Sequence, residues 1–272
     1  MIARAELQRL ANREQVGLGV LEKDYVLTEV LNALHHVPEL SKELVFKGGT
    51  ALRKVYFPYW RYSEDLDFTV KRDMAKEELY SALESWQSKV EEYSGIRLTV
   101  KMLHKPDGYA RIRIQYVASL NYPGMIYMDL TFDEPVCLEP EVMVVMNDPF
   151  PGKGDTVLAY PLEELLAEKL RSLIERGKSR DYYDVWRLLG DKASTLDLHL
   201  LGAVLETKLA HKGLPIPDIG DFLPDDFSDL ERYWNNDLGQ QVNPLPRLES
   251  VISDLRSLLA DHVVPYLSRG AP

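Results

Sequence analysis

Two rhythms of apolar and polar residues run along the chain, one with helical spacing and one of period two. Residues 5–15 and 21–37 follow the helical spacing, the second through Leu21, Tyr25, Val26, Val30 and Leu34. Leu44-Val45-Phe46 predicts a short strand, Lys47-Gly48-Gly49-Thr50 a turn, and residues 50–56 the start of a helix. Residues 65–70 alternate, with Leu66, Phe68 and Val70 on one face and Asp65, Asp67 and Thr69 on the other. An amphipathic helix follows over 74–93, its apolar side made by Leu79, Leu83, Trp86, Val90 and Tyr93. Three further strands are predicted. They are marked by Ile96, Leu98, Val100 and Met102, then by Ile112, Ile114 and Tyr116, then by Ile126, Met128 and Leu130.

The tract from Asp148 to Asp155, DPFPGKGD, is rich in Pro and Gly and reads as a linker. Beyond it the helical spacing dominates, over 161–176, 180–190, 196–211 and 245–267. Residues 213–244, rich in Pro, Asp and Asn, read as loop with short turns. The expected organisation is an α+β N-terminal domain over 1–150, with a mixed or antiparallel sheet, and a helical C-terminal domain over 156–272.

Composition narrows the classes. At 272 residues and 45% hydrophobic, the chain can bury a sizeable core. No apolar run approaches the roughly 20 residues that span a bilayer, and the opening MIARAELQRLANREQ lacks the apolar core of a signal peptide. Cys137 is the one cysteine, so an internal disulfide and a cysteine metal cluster are both excluded, and a reducing, cytoplasmic setting is expected. A net charge of −11 argues against a nonspecific DNA coat, which needs a basic surface. It leaves room for a nucleic-acid substrate held on a local basic patch, or for a basic protein partner.

Candidate chemistry concentrates in FKGGTALRKVYFPYWRYSEDLDFTV, residues 46–70. Asp65 and Asp67, at i and i+2 of one strand, point to the same side. Adjacent carboxylates repel, and a hard divalent cation such as Mg²⁺ would compensate them. Asp129 holds the corresponding polar position in a later strand and is a candidate third ligand, although Asp133 and Glu134 follow closely. Alone, an Asp-x-Asp strand reads equally as an exposed edge with solvated acids. The glycine pair Gly48-Gly49, ahead of Thr50, shifts that balance, because glycines let the backbone approach phosphates closely. A second signal lies in YPLEELLAEKLRSLIERGKSRDYYDVWRLL, residues 160–189. Lys169 falls inside the apolar stripe of Leu162, Leu165, Leu166, Leu170 and Leu173, where a lysine must snorkel, pair with an acid or serve a site. Asp184, on the next helix, is one candidate partner for it, and Asp181 can cap that helix. Arg171, Arg176, Lys178 and Arg180 make a basic run between the two helices, and Arg111 and Arg113 share a strand face that can meet an RNA backbone or simply water.

EKDYVLTEVL at 22–31, FKGGTALRKVY at 46–56, RYSEDLDFTV at 61–70 and AEKLRSLIERGKSRDYYDVWRLL at 167–189 together resemble the AbiEii-like nucleotidyltransferase toxins, which include the MenT toxins of toxin–antitoxin pairs. The resemblance implies a polymerase-β-like nucleotidyltransferase core with a helical C-terminal domain. It places Gly49-Thr50 where the family has Gly-Ser, and Asp65 and Asp67 at the metal pair. Lys169 then matches a lysine that contacts nucleotide phosphates, and Asp184 a later acid of the same motif. The phosphate-binding set it suggests is Lys47, Gly48, Gly49, Thr50, Arg53, Ser63 and Lys169; the metal set is Asp65, Asp67 and Asp129. It further implies Mg²⁺ and a nucleoside triphosphate, transfer to the tRNA 3′ acceptor end that blocks aminoacylation, and a cognate antitoxin. Modification of Ser63, beside the acids, would add negative charge and inactivate such a site. Other readings of the same residues are a protein-modifying nucleotidyltransferase or kinase, a nuclease, and a noncatalytic binding protein on a decayed core.

Overall fold

A computed structural model of the chain describes residues 1–72, 74–104, 108–223 and 226–268. It divides into two compact units. The first comprises Met1–Val136 with Pro140–Ala159, and the second Cys137–Glu139 with the chain from Tyr160 onward.

The first unit is α+β. Helices α1 (Arg4–Glu14), α2 (Leu18–Leu34) and α3 (Pro38–Ser41) lead into strand β1 (Leu44–Lys47). Helical hydrogen bonding begins again at once in α4 (Gly48–Ala51) and continues as a wider π-helical turn over Leu52–Tyr56. Strand β2 (Asp65–Val70), helix α5 (Lys76–Ser94) and strands β3 (Arg97–His104), β4 (Tyr109–Val117), β5 (Pro123–Thr131), β6 (Glu141–Val144) and β7 (Thr156–Ala159) complete it. The seven strands form one mixed sheet in the order β3-β4-β5-β2-β1-β7-β6. Pairs β2/β5 and β1/β7 are parallel and the other neighbours antiparallel.

Register sorts the sheet into two faces, because side chains alternate with period two. One lateral row runs Ala110–Leu130–Phe68–Phe46–Ala159, and all five are buried. Phe46 and Phe68 lie 5.1 Å apart between ring centroids. Trp86 of α5, fully buried, donates its indole N–H to the Val30 carbonyl of α2 at 2.9 Å and ties the two long helices together. One residue along, the next row reads Arg111–Asp129–Asp67–Lys47 and faces the opposite way.

The second unit is helical. It contains α6 (Leu162–Glu175), α7 (Ser179–Lys192), α8 (Leu198–His211), α9 (Ile219–Phe222), α10 (Ser228–Leu238), α11 (Leu248–His262) and a 3-10 turn at Val264–Tyr266. Its core is built from leucines of the helical stripes, Leu165, Leu166, Leu170, Leu188, Leu205 and Leu255 among them.

Three expectations are corrected. The Pro/Gly tract 148–155 is the connection between β6 and β7, two strands of the same sheet, and the chain passes to the helical unit at Ala159–Tyr160. Two four-residue strands are too short for alternation to stand out from background. The stretch 213–244 holds a regular helix, α10, with Leu230, Trp234 and Leu238 buried at intervals of four; its Asp and Asn residues occupy the outer side and hide the spacing. Pro224 and Asp225 of that stretch lie outside the described residues. The turn predicted at 47–50 is helical from Gly48.

Candidate active site

Asp65 and Asp67 stand half-buried on the polar face of β2. Parallel pairing sets Asp67 directly beside Asp129 of β5. Two neighbouring carboxylates are unfavourable in isolation, and the same row supplies the compensation. Lys47 of β1 is opposite Asp67, and Arg111 of β4 is opposite Asp129. Across four strands the two acids therefore stand side by side with one cation on each flank.

The turn after β1 closes onto these acids. Gly48 has φ +79°, and a Cβ added there would lie 2.3 Å from Asp67 Oδ2. Only glycine accommodates both the left-handed backbone and the approach of the chain to that carboxylate. A Cβ on Gly49 would lie 2.6 Å from Arg61 Nη2 and 3.3 Å from Ser63 Oγ. Gly48, Gly49, Ser63 and Asp67 are thus brought together, and Arg61, which the sequence reading passed over, lies against the same turn. Arg61 is buried and donates to the Tyr62 carbonyl at 3.2 Å. Its visible signal was a basic residue four positions ahead of Asp65. Thr50 is buried, and its hydroxyl donates to the backbone carbonyl of Asp65, fastening the helix start to the strand that carries the acids.

Arg53 is engaged elsewhere. Its guanidinium donates to Asp24 Oδ1 at 3.1 Å and to the carbonyls of Pro58 and Trp60, and it covers the Tyr62 ring at 3.7 Å. Lys54, fully buried, donates to the other Asp24 oxygen at 2.8 Å. Burial pulls the Lys54 pKa down, and Asp24 opposes that pull. The three consecutive residues Glu22, Lys23 and Asp24 each secure part of the site's framework. Glu22 accepts from the Leu120 amide at 2.6 Å, Lys23 pairs with Glu64 at 2.7 Å, and Asp24 holds the π-helical turn.

Asp129 has partners from β4. Tyr109 donates its hydroxyl to Asp129 Oδ1 at 2.6 Å, and Arg111 Nε lies 3.5 Å from the same oxygen. Burial, then the hydrogen bond to Asp129, raises the Tyr109 pKa, so the phenol is a donor at neutral pH. Among the described residues, no three His, Cys, Asp or Glu side chains converge as a ready-made metal cage. The pair Asp65 and Asp67 nevertheless fits a hard divalent ion. Mg²⁺ is held by one or two carboxylates with water and substrate phosphates, and Gly48 leaves the Asp67 carboxylate approachable by backbone.

In the helical unit, Lys169 Nζ lies 2.8 Å from Asp184 Oδ2 and 3.6 Å from Asp181 Oδ1, with both acids fully buried. Arg176 grips Asp181 in bidentate fashion, at 2.9 and 3.0 Å. Burial alone would raise the Asp181 pKa, but Lys169 and Arg176 outweigh it and hold the carboxyl below its ordinary range. The lysine inside the apolar stripe is thus paired with two acids. The basic run beside it divides: Arg171 is buried and pairs with Glu175 at 3.2 Å, and Arg176 is taken up by Asp181.

A model of the family described as "Nucleotidyl transferase AbiEii toxin, Type IV TA system" matches residues 30–260. The chain belongs to the AbiEii nucleotidyltransferase toxin family. This AbiEii chain is similar in fold to MenT4, a nucleotidyltransferase toxin from Mycobacterium tuberculosis. That match has a TM-score of 0.66 and 20% identity over 98% of this chain and 92% of that one. It is also similar to JHP933 from Helicobacter pylori, with a TM-score of 0.58 and 19% identity over 92% and 94% of the two chains. No curated protein sequence matches it. The AbiEii chain is a nucleotidyltransferase, and no helix among its described residues is long and apolar enough to cross a membrane.

Proposed function

We propose that this enzyme transfers a nucleotide from a nucleoside triphosphate to the 3′ acceptor end of tRNA, with Mg²⁺, in a cytoplasmic setting. We further propose that a cognate antitoxin neutralises it. The observation that carries the reading is the single row in which Asp67 and Asp129 stand side by side, flanked by Lys47 and Arg111, with Gly48 pressed against the Asp67 carboxylate. Asp65 and Asp67 would hold the cation. When bound, Mg²⁺ supplies Lewis-acid polarisation of the phosphates and lowers the pKa of the attacking hydroxyl.

The chain's own residues do the rest. The Gly48-Gly49 backbone lets a triphosphate approach the acids, and Lys47 and Arg61 offset its charge. Thr50 fixes the distance between the turn and β2 through its bond to Asp65. Ser63 Oγ, close to Gly49, is a further donor to phosphate. Arg53, gripped by Asp24, serves the framework of this site. Lys169 is assigned, on its motif alone, to neutralise charge on nucleotide phosphates; within the helical unit its ammonium is held by Asp184 and Asp181. In the reaction the RNA 3′ oxygen bonds to the α-phosphorus and pyrophosphate departs. The hydroxyl proton leaves to a carboxylate of the acid cluster.

The test is incubation of the purified protein with each labelled nucleoside triphosphate, Mg²⁺ and total tRNA, resolved on a gel. Wild type is expected to label and lengthen tRNA, and Asp67→Ala to do neither and to lose growth inhibition. Label in protein, shortened RNA, or full toxicity of Asp67→Ala would each overturn the reading.

A further inference from the structure

Asp129 stands beside Asp67 in the row of acids, yet its Oδ1 is committed to β4. Tyr109 donates to it at 2.6 Å, and Arg111 Nε approaches to 3.5 Å. Both donors belong to the same face of one strand, at i and i+2, and Arg111 is the register partner of Asp129. The arrangement answers an electrostatic problem. Three carboxylates gathered on one sheet face repel when no cation lies among them. A phenol and a guanidinium turned onto the third acid relieve that repulsion, and both do so through Oδ1.

We infer that Tyr109 is a positioning residue that latches the third carboxylate: while its hydroxyl holds Asp129, only Asp65 and Asp67 receive the divalent ion, and Asp129 joins them when that bond opens. The inference rests on the reading of Asp65 and Asp67 as cation ligands. Tyr109 is the stronger half of the latch. Arg111 is at the longer distance, and its guanidinium also covers the Tyr127 ring at 4.4 Å, so it keeps a partner when Asp129 departs. A latch of this kind would separate weak cation binding by two acids from tight binding by three.

The experiment is titration of the purified full chain with Mn²⁺ in the absence of nucleotide, read by electron paramagnetic resonance of the free ion. It compares wild type, Tyr109→Phe, Asp129→Asn, the double variant and Asp67→Ala. Tyr109→Phe should bind Mn²⁺ about tenfold more tightly than wild type, the factor associated with one hydrogen bond to a charged acceptor. Asp129→Asn should bind no more tightly than wild type on its own and should cancel the gain when combined with Tyr109→Phe. Asp67→Ala should bind weakly or not at all. If Tyr109→Phe binds no more tightly than wild type while Asp67→Ala loses binding, the latch is overturned and the two-acid reading stands. A gain that survives Asp129→Asn also overturns the latch. If Asp67→Ala binds like wild type, both readings fall.

Discussion

Gly48 and Asp67 show how much a single atom decides here. A Cβ at Gly48 would meet Asp67 Oδ2 at 2.3 Å, in a backbone conformation that costs an L-residue about 1–2 kcal/mol. Gly48→Ala is therefore expected to fold with a modest loss of stability and to lose nucleotide transfer at least as completely as stability. Urea unfolding and the labelling reaction, run on the same preparation, check it. Asp181 makes a different prediction. Its folded pKa lies below the ordinary 3.8, so the stability it contributes is complete above that value and fades as pH falls through the lower folded value. Asp181→Asn should be markedly less stable than wild type at neutral pH, and the gap should narrow toward about pH 3. Unfolding curves at the two pH values decide the matter. The residues legible in the sequence were those with a local sign: two acids at i and i+2, a glycine pair, a lysine inside a leucine stripe. Tyr109 and Asp24 carry no such sign, and Arg61 only a faint one. Tyr109 acquires its meaning from an acid 20 residues later, and Asp24 from two basic residues about 30 positions away.

At the scale of elements, the π-helical turn Leu52–Tyr56 joins the phosphate-side turn to the strand of acids, and its hold on α2 runs through Asp24. Asp24 is 1% exposed and accepts from Arg53 and Lys54 at once. Removing one member of a buried ion cluster strands the others and costs about 3–5 kcal/mol. Asp24→Asn keeps the volume and removes the charge, so it should destabilise the first unit by that order, measured by urea unfolding. Lys23→Ala, whose partner Glu64 is exposed, should change stability by less than about 1 kcal/mol. The contrast separates the framework role of Asp24 from a general effect of charge in this segment. Long, strongly periodic elements were legible for a physical reason: α5, α6 and α7 each bury one face, while α2, buried on nearly every side, showed itself by its length and apolar content. Strands β6 and β7 were not, since four residues cannot establish a period and their place at one side of the sheet comes from β1.

Over the whole molecule, the chain passes between its two units at three places, near Val136, Glu139 and Ala159, and the first two enclose only Cys137–Glu139. Two of those three residues are held within the helical unit by a side chain of α6. Glu164 of α6, fully buried, accepts from the Cys137 amide at 2.9 Å and from the Leu138 amide at 2.8 Å. It also pairs with Lys208 of α8 at 2.7 Å, and Lys208 reaches Glu168 at 3.1 Å and covers the Tyr160 ring at 4.6 Å. One carboxylate thus closes a helix–helix contact and a chain crossing together. Glu164→Leu leaves a buried ammonium with weaker compensation and two backbone donors without their acceptor, so its cost should reach about 4 kcal/mol. Lys208→Met alone should cost less, because Glu164 retains the two amides. Combining the two replaces the ion pair with apolar groups, a change often tolerated in buried pairs. The double variant should therefore be less destabilised than the two single losses added together, while staying below wild type by the value of the two amide bonds. Urea unfolding of all four proteins gives the coupling directly. Strict additivity would mean that Glu164 and Lys208 act separately.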